Sequence, residues 1–307
     1  MENRDLIIIG AGPAGLSGAI CAGYSGFKPL VFEENMPGGL AGEIPVLENY
    51  PGIGKGSSGK DLIDRMIEQC KGTAAEIHQF EKVTKLNLEG KEKIIETDKS
   101  KYTANAVVIA SGRHPSMLGV PGEKEFRGKG VSYCAVCDRV FFKNRKVTVI
   151  GEGAHAIEVA LYLAESASST ILISLNPRFE AEKILVKRLE EQRINVLTGV
   201  KVKEIKGDIK VKSVVLSDKG TSDIREIETD GVFLQLEEKP NSQLARSAGI
   251  KVNKKGYIIV DEKGRTNFEG VYAVGDVTDG SVKKVITAVA QAFVAVNDIF
   301  EPVIRKK

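Results

Sequence analysis

One local pattern occurs twice in this chain and fixes most of what it can fold into. Leu6 to Glu34 runs LIIIGAGPAGLSGAICAGYSGFKPLVFEE: an apolar run, a glycine loop, a stretch of small residues at helical spacing and a second apolar run. From Val147 the order returns as VTVIGEGAHAIEVALYLAESASSTILISL. Each segment predicts a buried strand, a tight turn, a helix and a second strand. That is the opening βαβ unit of a dinucleotide-binding fold. A chain of 307 residues has room for two such domains. The expected class is α/β with two Rossmann-like domains.

In the first unit Gly10, Gly12 and Gly15 follow the strand and open the helix, and Glu33 comes 23 residues after Gly10. Glycines at this spacing let the backbone approach a pyrophosphate at a helix N-terminus, and an acid at that distance hydrogen-bonds ribose hydroxyls. The second unit has Gly151, Gly153 and Ala156, but the residue 23 positions after Gly151 is Ser174. Leu175 and Asn176 follow it and supply no guanidinium for a 2′-phosphate, while Arg178 lies two residues further. Glu152 puts a negative charge inside the loop itself. The second unit therefore either holds a nucleotide by other means or serves as scaffold.

Hydrophobic residues at 42% and charged residues at 28% describe a chain with real cores and no disordered bulk. A net charge of +3, spread along the chain, gives no concentrated basic footprint, so nucleic acid is not an expected partner. No apolar run approaches the roughly 18 residues that span a bilayer, so no membrane association and a cytoplasmic location are expected.

Of the four cysteines only Cys134 and Cys137 have a motif spacing, CAVC, with Asp138 directly after it. Such a pair can close into a small reducible disulfide, and a thiolate beside an oxidised flavin can pass electrons to it. Asp138 is placed to move a proton. A structural zinc site wants four ligands, and no second CxxC or histidine cluster follows, so no metal is expected. His78, His114 and His155 stand singly and are expected on the surface or in loops. Cys21 and Cys70 fall at helical apolar spacing and are expected to be buried and inert. The lysine-rich stretch from Lys201 to Lys212 is expected to form solvated faces.

Taken together, these parts resemble the low-molecular-weight thioredoxin reductase family, from Asp5 to the last helix. GAGPAG at 10–15, PGG at 37–39, ENYPG at 48–52, ASGRHP at 110–115, CAVCD at 134–138 and YAVGDVTDG at 272–280 carry the resemblance. It implies an FAD domain built from 1–116 and 245–307, with the CxxC-bearing NAD(P)-binding-like domain, 117–244, inserted into it. It further implies FAD-binding roles for Gly10, Gly12, Pro13, Ala14, Gly15, Glu33, Glu34, Gly39, Leu40, Asn49, Val83, Ala110, Gly112, Gly275, Asp276, Lys283, Lys284 and Val285. Asp276 would meet the ribityl chain. Cys137 would face the flavin and Cys134 would attack the disulfide of a thioredoxin-like protein, in a homodimer.

Several positions depart from the family pattern. Ser174, Leu175, Asn176 and Glu180 replace its NADPH-binding basic residues. Leu40 replaces a flavin-side glutamine, Arg139 a glycine, and Lys283, Lys284 and Val285 an Arg-Gln-Ala run. Leu234 to Pro240 lacks the small glycine turn found near the nicotinamide. These changes count against conventional NADPH use and leave ferredoxin, a deazaflavin or NADH as donor. Lys283, Lys284, Arg305, Lys306 and Lys307 would suit an acidic iron–sulfur partner. Two alternatives share the motifs: a flavin-dependent dithiol oxidase that discharges to oxygen, and a non-enzymatic flavin and disulfide redox sensor.

Overall fold

A computed structural model describes residues 2–178, 181–192, 194–218, 223–280 and 282–304. The chain opens with strand β1 (Glu2–Ile9), helix α1 (Pro13–Tyr24) and strand β2 (Leu30–Glu33). Leu6 to Ile9 are all buried, as in a parallel strand covered on both faces. Pro13 occupies the first helical position, where its missing N–H costs nothing. The small residues of α1 let neighbours approach closely: a Cβ on Gly18 would lie 3.3 Å from Ile8 Cδ1 and 3.6 Å from Val296 Cγ2.

Helix α2 (Gly59–Lys71) begins at a capping box in which Ser58 and Asp61 satisfy each other's backbone N–H groups. Strands β3 (Glu76–Gln79), β4 (Val83–Asn87), β5 (Lys93–Thr97) and β6 (Lys101–Ile109) follow. The sheet runs β3-β2-β1-β6-β5-β4, with β1 parallel to both β2 and β6. A short strand, β7 (Arg113–Pro115), then leaves this part of the chain.

The next stretch carries strand β8 (Val131–Ser132), the single turn α3 (Ala135–Asp138), strand β9 (Lys146–Gly151), helix α4 (Gly153–Ala164) and strand β10 (Ser169–Ser174). Helix α5 (Lys183–Glu191) and strands β11 (Asn195–Thr198), β12 (Val200–Gly207), β13 (Val211–Asp218), β14 (Ile224–Glu228) and β15 (Gly231–Gln235) complete it. The parallel sheet β11-β10-β9-β15-β8 is joined by an antiparallel sheet β12-β13-β14. Along β12, Val200, Val202 and Ile205 are buried while Lys201, Lys203 and Lys206 are exposed, the solvated lysine face expected of that stretch.

Strand β16 (Glu238–Pro240) pairs with β7, so the outgoing and returning crossings form one two-stranded ribbon. Helix α6 (Gln243–Ser247), strand β17 (Val271–Ala273), which pairs parallel with β6, and helix α7 (Val285–Ile304) complete the described residues.

The chain divides into two units, one of Met1–Gly42, Leu47–His114 and Lys239–Lys307, the other of Glu43–Val46 and Pro115–Glu238. The division falls at His114/Pro115 and Glu238/Lys239, whereas the resemblance put the inserted segment at 117–244. The second edge moves because residues 239–244 already belong to the first unit: Ser242 Oγ bonds to the Gly256 carbonyl at 2.5 Å, and Leu244 and Ala245 pack with Ile250 and Ile258. No helix among the described residues is long and apolar enough to cross a membrane.

Candidate active site

The first glycine loop is shaped for a ligand. Gly10 has φ +102°, and a Cβ there would stand 2.5 Å from the Ala110 carbonyl oxygen. A Cβ on Gly15 would fall 1.8 Å from the Gly10 carbonyl oxygen. Gly12, between them, has nothing within 4 Å of the same position. The outer glycines are thus required by packing, whereas Gly12 faces open space at the start of α1, where a pyrophosphate would approach. Glu33 closes the loop: Oε2 accepts from Ala11 N at 2.8 Å and Oε1 from Asn35 N at 2.9 Å. Each oxygen keeps a second acceptor site for a ribose hydroxyl. These features fit a dinucleotide.

Of the other expected cofactor residues, Gly39, Ala110 and Gly275 lie directly against this loop. Gly38 N donates to the Ala11 carbonyl at 2.9 Å, and a Cβ on Gly39 would lie 3.4 Å from Gly12 Cα, so the PGG segment lies against the loop; Leu40, next along the chain, is half-buried. Ala110 follows the end of β6, and Gly112, at φ +62°, accepts from Asn241 N at 3.0 Å. Gly275, at φ +75°, sits so close to Ala14 that a Cβ would be 2.9 Å from the alanine's. Asp276 accepts two hydrogen bonds from Arg113, Nε at 3.1 Å and Nη2 at 2.8 Å. Val285 opens α7.

The remaining expected positions lie less directly on the loop. Val83 is buried in the sheet core, Asn49 is exposed in a bend, and Glu34 pairs with Lys82 at 2.6 Å. Lys283 is not a surface docking charge: its Nζ donates to the Thr278 carbonyl and stands 4.5 Å from the Tyr257 ring centroid. Burial holds its pKa below the ordinary lysine value, against the pull of Asp276. Lys284 is exposed, whereas Glu180, Arg305, Lys306 and Lys307 lie outside the described residues.

In the second unit Cys134 and Cys137 form a disulfide. Cys134 caps α3 in an extended conformation, and its sulfur accepts the Cys137 N–H at 3.2 Å. Cys137 is exposed; Cys134 and Asp138 are half-buried. The approach to the pair is anchored by a buried carboxylate. Glu123 accepts from Leu118 N, Gly119 N and the Tyr133 hydroxyl at 2.8, 2.6 and 2.7 Å. Burial, and then that bond, push the Tyr133 phenol well above its usual pKa. On the other side Arg139 bonds Ser166 Oγ at 2.9 Å and Glu165 at 3.0 Å, with its guanidinium 4.1 Å from the Tyr162 ring centroid. The residue that stands in place of a glycine therefore staples the redox segment to the end of α4. Val140 and Phe141 stay exposed beside a groove of about 310 Å³ that includes Gly130, Asp138 and Phe142.

The second glycine loop repeats the first in packing but not in chemistry. A Cβ on Gly151 would meet the Gln235 carbonyl oxygen at 2.2 Å, as Gly10 meets Ala110. Glu152 is the N-cap of α4 and makes no side-chain capping bond. Ser174 is fully buried, and its hydroxyl donates to the Asn176 carbonyl at 2.9 Å and accepts from Asn176 N at 3.1 Å. It closes its own turn, where Glu33 reaches its glycine loop. Arg178 is exposed.

The isolated cysteines are buried as expected, whereas two of the three histidines, His78 and His155, are half-buried on a strand and a helix rather than in exposed loops. Cys21 and Cys70 are buried, and burial pushes the Cys70 thiol up to about 11. His78 is half-buried on β3 against Glu81 at 3.1 Å, His114 is exposed, and His155 lies on α4. The features missed in the sequence are Arg113, Gln235 and the Arg139 clamp. Only Arg139 had left a local signal there, as a long cation in a glycine's place.

Residues 4–292 match the family model of the pyridine nucleotide-disulphide oxidoreductases. A thioredoxin reductase of Mycolicibacterium smegmatis is 38% identical over 299 residues, covering 96% of this chain and 95% of that protein. The crystal structure of the T. acidophilum thioredoxin reductase superposes with a TM-score of 0.94 at 34% identity, covering 99% of this chain and 100% of that one. A ferredoxin-flavin thioredoxin reductase from Clostridium acetobutylicum is similar at 32% identity and a TM-score of 0.54, over 99% of both chains. With a glycine loop built for a dinucleotide in one unit and a redox disulfide in the other, this chain belongs to the low-molecular-weight thioredoxin reductase family, whose members are flavin-dependent oxidoreductases acting on disulfides.

Proposed function

We propose that this enzyme holds FAD on the Gly10–Gly15 loop and reduces a thioredoxin-like protein disulfide through Cys134 and Cys137. We further propose that it draws its electrons from a donor other than NADPH, with a ferredoxin-type protein first in line and a deazaflavin or NADH behind it. The observation that carries the reading is the contrast between the two loops. Glu33 completes the first, whereas Ser174 is consumed by its own turn and Glu152 brings a carboxylate to where a pyrophosphate would sit. The ferredoxin-linked relative supports the same donor class.

Bound FAD supplies two-electron transfer to the disulfide. Reduction breaks the Cys134–Cys137 bond and takes up two electrons and two protons, with Asp138 exchanging the proton at Cys137 Sγ. The Cys137 N–H stabilises a thiolate on Cys134, while greater exposure favours Cys137 as the attacker. We assign the attack to Cys134, because the thiolate is the nucleophile. Its sulfur bonds to one sulfur of the partner disulfide and expels the other as a thiolate. Cys137 then attacks Cys134, which restores the internal disulfide and releases the partner as a dithiol. Val140 and Phe141, exposed three and four residues after Cys137, give the partner an apolar landing surface. The cycle suits a reducing cytoplasm, and Ile286, Phe293 and Val294, exposed along α7, suit a homodimer.

Trapping tests the assignment. Prereduced Cys137→Ser enzyme, mixed with oxidised thioredoxin, should accumulate a covalent mixed disulfide through Cys134, visible by mass spectrometry. Cys134→Ser should not. Full turnover by either variant would end this mechanism.

A further inference from the structure

Asp276 stands next to the first turn of α1: it follows Gly275, which packs against Ala14 there. A pyrophosphate on the Gly10–Gly15 loop would bring further negative charge into the same neighbourhood, and like charges a few ångströms apart repel strongly when partly withdrawn from water.

The structure brings a cation from far along the chain to this carboxylate. Arg113, 163 residues away on β7, donates Nε and Nη2 to Asp276 Oδ2 at 3.1 and 2.8 Å. The two side chains are 18% and 27% exposed, so the pair is only partly screened. Both bonds fall on Oδ2, so Oδ1 keeps its acceptor sites. Lys283 adds a second cation that feels both Asp276 and Asp279, but its Nζ is already committed to the Thr278 carbonyl. Arg113 is therefore the group that engages Asp276 directly.

We propose that Arg113 is the charge-compensating residue of the flavin site. It neutralises Asp276, so that this carboxylate can serve the hydroxylated chain of FAD without repelling the pyrophosphate. The inference rests on the reading that FAD occupies the first unit. It assigns Arg113 a positioning role through Asp276, not a contact with the phosphates.

A double-mutant cycle on FAD affinity separates these roles. Full-length apoprotein is titrated with FAD and followed by quenching of flavin fluorescence, for wild type, Arg113→Gln, Asp276→Asn and the double variant. Arg113→Gln should weaken binding on the order of tenfold while Asp276 is present, and less than about twofold in the Asp276→Asn background. Arg113→Lys, which keeps the charge, should stay within about threefold of wild type and serves if the glutamine variant does not fold. Unchanged affinity in Arg113→Gln would overturn the proposal, as would an equal loss in both backgrounds, which would mean that Arg113 contacts the cofactor itself. If Arg113→Gln does not fold, a loss in Arg113→Lys as large as tenfold would also count against it. Absence of FAD binding by wild type would remove the reading of the cradle, and this proposal with it.

Discussion

The side-chain amide of Gln235 donates to the Tyr133 carbonyl at 3.3 Å, one residue before Cys134. The Gln235 carbonyl in turn accepts Glu152 N at 3.2 Å, so one residue at the end of β15 holds both the approach to the redox pair and the second glycine loop. Gln235→Leu keeps the volume but removes the donor to a partly buried carbonyl. Its expected cost is about 1 kcal/mol of stability, read as a lower midpoint in urea with an unchanged slope. An unchanged midpoint would show that the bond holds nothing.

Asp298 on α7 predicts an acid limit for the first unit. Its carboxylate is almost fully buried and is bonded to Arg265 Nε at 2.6 Å, Lys263 Nζ at 2.7 Å and the Tyr272 hydroxyl at 2.8 Å. Those bonds, Arg265 first, hold its pKa well below the ordinary carboxylate range. A depressed folded-state pKa adds stability that is complete above the unfolded value, about 4, and is lost as pH falls below it. Asp298→Asn should therefore lose on the order of 2–3 kcal/mol at pH 7 and show a flatter decline in stability below about pH 4. Denaturant melts of both proteins at pH 7 and pH 3.5 check this, and parallel pH profiles would contradict it.

Gly15 offers a third test, on the cofactor loop. A methyl group there would fall 1.8 Å from the Gly10 carbonyl oxygen, a backbone atom that cannot yield without moving the loop. Gly15→Ala should express as protein without bound flavin. Gly12→Ala, whose methyl meets no protein atom within 4 Å, should fold normally and lose flavin affinity only through the ligand. A yellow Gly15→Ala protein would show that the loop is more pliant than its packing implies.

How far the sequence spoke depended on how local each device is. Both βαβ units and the CAVCD pair were legible because strand, turn and helix chemistry lie within about thirty residues of one another. Arg113 with Asp276 and Gln235 with Tyr133 were not, since they are 163 and 102 residues apart and only the folded sheets bring them together. Lys283 was misjudged for a different reason: its partners Thr278 and Tyr257 are near in sequence, but a lysine next to an exposed lysine gives no sign that they fold it inward. The inserted segment also ends earlier than the family resemblance implied, because α6 packs into the first unit's core.

One anaerobic experiment identifies the electron donor directly. The purified flavoprotein is mixed with stoichiometric NADPH, with NADH or with reduced ferredoxin, and bleaching of the flavin absorbance band is followed in each. Rapid bleaching by ferredoxin, slowing as salt rises, with little or none by NADPH, is the predicted result. Rapid bleaching by NADPH would contradict it, and would mean that the second glycine loop binds the nucleotide despite Glu152 and Ser174.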